Sequence, residues 1–91
     1  MKNAMEIAQL TKTSEVKLIA DRHDTTMNYI NNTMAREVEK QANLGKLEAK
    51  FRVSEKIDRD TVKRVFTVQG FEVNVKGYEV RISWMHQYFN L

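Results

Sequence analysis

The chain has no cysteine and no proline among its 91 residues, and only three glycines. Without cysteine there can be no disulfide, no thiolate metal site and no thiol nucleophile. Such a chain suits a reducing cytoplasm, which is its expected location. Gly45, Gly70 and Gly77 each fall at a predicted element boundary, so no long flexible linker fits between elements. No run of about 18 apolar residues exists, and no membrane span is expected. The opening MKNAMEIAQL is too polar and too short for a secretory leader. Charge of one sign is scarce as well. Fifteen basic residues face 12 acidic ones, a net charge of +3. That balance permits contact with nucleic acid without arguing for it.

A long amphipathic stretch dominates what is present. In residues 14–44, Val16, Ile19, Ala20, His23, Met27, Ile30, Met34 and Val38 recur at helical spacing. The steps from 16 to 38 are 3, 4, 4, 3, 4 and 4, close to the 3.6 residues per turn of a straight helix and above the 3.5 of a heptad coiled coil. The spacing therefore predicts a straight helix laid on a surface, ended by Gly45. Upstream, Asn3 and Glu6 have the spacing of a capping box. Thr11, Thr13 and Ser14 favour caps over helix interiors, which favours a break there over one unbroken helix across residues 3–44, with residues 1–13 as a separate arm and Thr13 or Ser14 as the N-cap of the long helix.

The remainder reads as strand, helix and hairpin. In residues 46–53, Leu47, Ala49, Phe51 and Val53 alternate with Lys46, Glu48, Lys50 and Arg52, the pattern of a half-buried strand. A second helix is predicted at about 59–69, with Asp58 as N-cap, Ile57 and Val62 as a hydrophobic staple and Gly70 as terminator. Phe71, Val73 and Val75, then Tyr78, Val80, Ile82 and Trp84, give two alternating strands turned at Lys76-Gly77. Tyr88, Phe89 and Leu91 in the tail, residues 85–91, predict packing of that segment.

These elements make a single α+β domain over residues 1–91: a long helix, then β-α-β-β across 46–84, in two layers with the helices on one face of a three-stranded sheet. The first strand is expected to pair antiparallel with the third, giving the order β1-β3-β2. A seven-residue strand spans about 23 Å, at about 3.3 Å per residue, whereas residues 14–44 as a helix span about twice that. The sheet can cover only part of the apolar stripe. Each large side chain left wet forgoes about 1.5–3 kcal/mol of burial. A second copy of the chain, most simply a closed dimer, is the expected cover for Val16, Ile19, His23, Met27 and Ile30. The N-terminal arm or the tail folding over the helix is the rival cover.

No motif for catalysis, metal or cofactor stands up. His23 lacks partners at ligand spacing, and Asp24 lies about 100° round the helix from it. It reads as a core or subunit-contact histidine. Ser83 and His86 lack an acid partner and a nucleophile elbow. Asp58 and Asp60 are explained by the helix cap. On the reverse face of the long helix Leu18, Arg22, Tyr29, Arg36 and Lys40 fall within about 40° at about 100° per residue, a basic line that reads first as an ordinary solvated face and otherwise as one that can follow a phosphate backbone or meet a partner. The polar face of the sheet carries no aromatic side chain for base stacking, which argues against sheet-based RNA recognition.

The polar helix followed by GKLEAKFRV, a short helix and the closing hairpin GFEVNVKGYEVRISW resembles small uncharacterised proteins of tailed bacteriophages over about residues 36–84. The resemblance implies a viral origin, a place in the cytoplasm of a bacterial host and no catalytic residues. The expected function is that of a non-enzymatic, homo-oligomeric protein that binds another protein. A nucleic-acid-binding accessory protein using the basic helix face is the alternative.

Overall fold

The computed structural model describes all 91 residues. One helical rod, Ala4 to Asn43, carries the rest of the molecule on its C-terminal half. It comprises helix α1 (Ala4–Tyr29), a π turn (Ile30–Met34) and helix α2 (Ala35–Asn43). The rod sets the shape, 65 × 20 × 19 Å.

The predicted break at Thr11–Ser14 does not occur. Asn3 caps the rod, its side chain accepting the Glu6 N–H at 2.9 Å. Thr11 and Thr13 then turn their hydroxyls inward along the helix, donating to the carbonyls of Ile7 (3.2 Å) and Gln9 (3.0 Å). A threonine bonded four residues back is compatible with an unbroken helix. The arm and the long helix are thus one element.

The rod buries Thr26, Ile30, Met34 and Val38, a row with a constant step of four. In a regular α-helix each step of four overshoots a full turn by about 40°, so the row would wind off the core face. The π turn removes the drift. The Ala35 N–H reaches the Ile30 carbonyl, five residues back, so this turn holds an extra residue. Met34 and Val38 are thereby brought back beneath Thr26 and Ile30. The stripe in the sequence steps by threes and fours, and that spacing carries no sign of the wide turn in its middle.

Lys46 N–H to the Gln41 carbonyl and Gly45 N–H to the Ala42 carbonyl, both 3.0 Å, end the rod. Strand β1 (Glu48–Arg52) comes next, with Ala49, Phe51 and then Val53 buried. Helix α3 (Arg59–Val68) starts at Asp58, whose carboxylate accepts the Asp60 N–H and the Thr61 hydroxyl. It ends at Gly70, held at φ +93°, a left-handed conformation that suits glycine. There the Phe71 N–H bonds the Phe66 carbonyl and the two rings meet edge to face, centroids 5.5 Å apart. This is a Schellman closure with its hydrophobic contact.

Strands β2 (Glu72–Lys76) and β3 (Glu79–Ser83) complete an antiparallel sheet in the expected order β1-β3-β2. On the inner face Ala49 pairs with Ile82 and Ile82 with Val73, while Phe51 pairs with Val80 and Val80 with Val75. Helix α2 lies on β1 and α3 on β2. Ile57, Val62 and Phe66 close the core from the α3 side.

Two further expectations are corrected. Lys76 pairs with Glu79, so the turn is Gly77-Tyr78 rather than Lys76-Gly77. Gly77, at φ +60°, takes the first central position of a tight hairpin turn, where a positive φ is needed. Tyr78 therefore sits in the turn and not on the core face, with the Arg59 guanidinium 4.5 Å above its ring. The tail forms a short helix, α4 (Met85–Phe89), but does not join the core: the Tyr88 and Phe89 rings meet each other and stay open to solvent, as does Leu91.

Candidate functional site

Every residue from Met1 to Thr25 is exposed. Counting from Ala4, this free half of the rod is a helix of about 33 Å, at about 1.5 Å per residue, that the rest of the chain leaves uncovered. Its length comes from local causes: the Asn3 cap, the two threonine back-bonds and the absence of proline and glycine over that stretch.

The five residues expected to meet a second copy divide at the edge of the body. Val16 and Ile19 are 68% and 71% exposed, and His23 is exposed beside them. Met27 is half-buried against the core and Ile30, at 3%, belongs to it. Ile30 is therefore held by the chain's own core and is not open to a partner. Met5 lies three turns upstream of Val16 on the same side of the helix, to within about 20°. Ile7, Leu10 and Leu18 are also bare and lie on the far side.

The other candidate surface is the line Leu18, Arg22, Tyr29, Arg36 and Lys40. Leu18, Arg22, Arg36 and Lys40 are exposed, while Tyr29 is half-buried and burial raises the pKa of its phenol. The extra residue in the π turn rotates α2 by about 100° relative to the face that a regular helix would give it. Leu18, Arg22 and Tyr29 stay together, and Arg36 and Lys40 turn away from them. The structure does not assemble the five into one continuous line.

At the edge of the body sits Thr26, a residue that sequence patterning does not mark. It is completely buried. Its hydroxyl donates to the Arg22 carbonyl and accepts the Asp58 N–H, both at 2.8 Å. One side chain thus joins the rod to the cap of α3. Partial burial works against ionisation of Asp58. The Thr61 hydroxyl, the backbone N–H groups of Thr61 and Asp60 and the nearby Arg22 charge outweigh it and hold the carboxyl below its ordinary pKa. The one signal in the sequence is the spacing of Thr26 four residues before Ile30, and it is hidden because threonine is polar.

The polar face of the sheet is a wet, mixed surface. Glu48 lies 3.9 Å from Lys50 and 3.8 Å from Arg81, which are themselves cross-strand neighbours of like charge. Exposed pairs of this kind contribute little, about 0–1 kcal/mol. Ser83 and His86 do not meet: the Ser83 hydroxyl bonds the Leu47 carbonyl and the Met85 N–H, and the His86 ring faces Asn90. No three His, Asp or Glu side chains come together as a metal-binding group. No helix is long and apolar enough to cross a membrane. A shallow apolar pit of about 310 Å³ lies between Val38, Ala42, Phe71 and Trp84 at the opposite end from the free helix.

No protein-family model, curated protein or solved structure matches the chain.

Proposed function

We propose that this chain is a non-enzymatic binding protein that self-associates through the free half of its long helix, in the manner of a small phage-encoded adaptor in a bacterial cytoplasm. The observation that supports this reading is the bare, regular helix from Ala4 to Thr25, with Val16 and Ile19 open on the side that the body covers further along. Most helical stability in proteins comes from packing an apolar face, and this half of the rod packs on nothing in its own chain. Covering Val16 and Ile19 on each copy stabilises the assembly by about 1.5–3 kcal/mol per side chain. Ile7, Leu10 and Leu18, on the far side, are then the apolar residues left for a different protein.

Light scattering on the full chain at micromolar concentration tests the reading. The expected mass is that of two or more chains. Val16→Asp combined with Ile19→Asp is expected to give one chain, with the body's unfolding transition retained because neither residue touches the core. A single-chain mass for the unaltered protein would overturn the proposal. Nucleic-acid binding through Arg22, Arg36 and Lys40 is the alternative, and retention on DNA or RNA at low salt, lost in the triple Glu variant, would favour it.

A further inference from the structure

We infer that two copies pair with their free helices antiparallel, and that the body of each chain is the stop that fixes both direction and register. The pairing rests on the self-association proposed above and adds its geometry. Three observations carry it.

The first is continuity. Met5, Val16 and Met27 are spaced by eleven residues, and so are Ala8, Ile19 and Ile30. Eleven residues make just over three whole α-helical turns, so each series stays on one side of the rod within about 20° per step. At Met27 and Ile30 that side faces the chain's own core. At Val16 and Ile19, and again at Met5 and Ala8, the same side is bare. A second helix laid there extends a packed face that already exists.

The second is space. The body begins at Thr26, on that same side. A parallel copy in register would have to run its own helix through the volume that the sheet and α3 occupy against Ile30, Met34 and Val38. An antiparallel copy meets no such obstacle. Its rod begins at Ala4, and that end fits against Arg22 and His23, just short of Thr26. The overlap is then nearly the whole free half of each rod. Two helices of about 10 Å diameter in contact over about 30 Å bury on the order of 1,200 Å² in total, the lower edge of a standard interface.

The third is charge. With Ala4 stopped at Arg22–His23, Ala8 lies opposite the partner's Ile19, a small residue against a large one. Lys12 lies opposite the partner's Glu15, and two-fold symmetry makes that pair twice. Neither Lys12 nor Glu15 is ion-paired within its own chain. A parallel pair would instead set Lys12 against Lys12.

The chain has no cysteine, so single introduced thiols report contacts cleanly. Full-length Ala8→Cys and Ile19→Cys proteins are purified separately, mixed, allowed to exchange subunits and treated with a short thiol–thiol crosslinker. Covalent dimer is expected at least ten-fold more abundant in the mixture than in either protein alone. The pair Ala4→Cys and His23→Cys, opposite each other in the same register and far from the two-fold axis, repeats the test without removing a large apolar side chain, and the same preference for the mixture is expected. Crosslinking in each protein alone, without enrichment in the mixture, means a parallel pair and overturns the inference. No crosslink in any sample, with light scattering still giving two chains, overturns it while leaving self-association standing. A single-chain mass overturns both.

Discussion

The two halves of the long helix share one backbone and differ in almost everything else. From Thr26 to Val38 the rod presents a row with a step of four, and each of its four members is buried. From Ala4 to Thr25 its apolar residues step by eleven along one side and recur on the other, and none is covered. The packed half contains the π turn, and the free half is regular α-helix. The difference shows which constraint acts on each. A helix seated on a small sheet must keep one narrow face in place, and it does so by widening a turn. A helix with no neighbour in its own chain is held only by its cap, its back-bonds and its propensity.

The largest test of that contrast places one substitution in each half. Met34 is fully buried where the rod meets the body. Met34→Ala is expected to cost about 2–5 kcal/mol, the range for emptying a tightly packed site. Ile19→Ala, read at dilution where the chain is a monomer, is expected to change stability by less than about 0.5 kcal/mol. Urea unfolding measures both. Equal losses at every concentration would mean that the free half is packed in the monomer and would end the comparison.

A smaller effect is expected at the boundary between the halves. Thr26→Val keeps the shape of the side chain and removes the acceptor of the Asp58 N–H. A buried donor left without a partner costs about 1–3 kcal/mol. Thr26→Ser, which keeps the oxygen, is expected to stay nearer the unaltered protein. Faster amide exchange at Asp58 in Thr26→Val alone would locate the loss at this contact. A neutral Thr26→Val would show that the rod is held to α3 by apolar packing only.

The range of the forces involved decides which of these features are legible in the sequence. Asp58 as a cap, Gly70 as a terminator and the inward set Ala49, Phe51 and Val53 are legible, because caps and alternation are written within a few residues. The strand order β1-β3-β2 is not legible there, because three one-sided strands share a core equally well with the first strand beside either of the others, and the long-range pairing of β1 with β3 decides it. The continuity of the rod through Thr11 and Thr13 is not, because a threonine that caps and one that bonds four residues back look alike in sequence. Tyr78 continues the alternation of Val80 and Ile82 and so reads as part of the strand. The geometry of a two-residue turn starting at Gly77 places it otherwise. The aromatics of the tail suggest packing, yet Tyr88 and Phe89 satisfy each other outside a core that Phe66, Phe71 and Trp84 already edge. For the candidate site, the surplus of helix beyond the sheet is legible from lengths. The edge at Thr26, and the split of the basic line, depend on tertiary contacts and on the π turn.

The smallest expected effect is the most pointed test of that turn. If the π turn exists to absorb one extra residue between Ile30 and Met34, removing a residue there should return the rod to regular α-helix. Deletion of Asn32, which is exposed, leaves the next residues one place earlier. Thr26, Ile30, Met34 and Val38 would then step by 4, 3 and 4, and at about 100° per residue they stay within about 60° of one another. The core face is kept, and so is its relation to Val16 and Ile19. An exposed asparagine, a weak helix former, is lost and an irregular turn becomes regular. Thermal unfolding of the deletion variant is therefore expected to match that of the unaltered chain within about 1 kcal/mol, the scale of one such helix-propensity change, with the same crosslinking pattern between Ala8→Cys and Ile19→Cys. A loss of several kcal/mol would show that the wide turn makes contacts of its own, and that the phase between the two halves is set by those contacts rather than by the row of four.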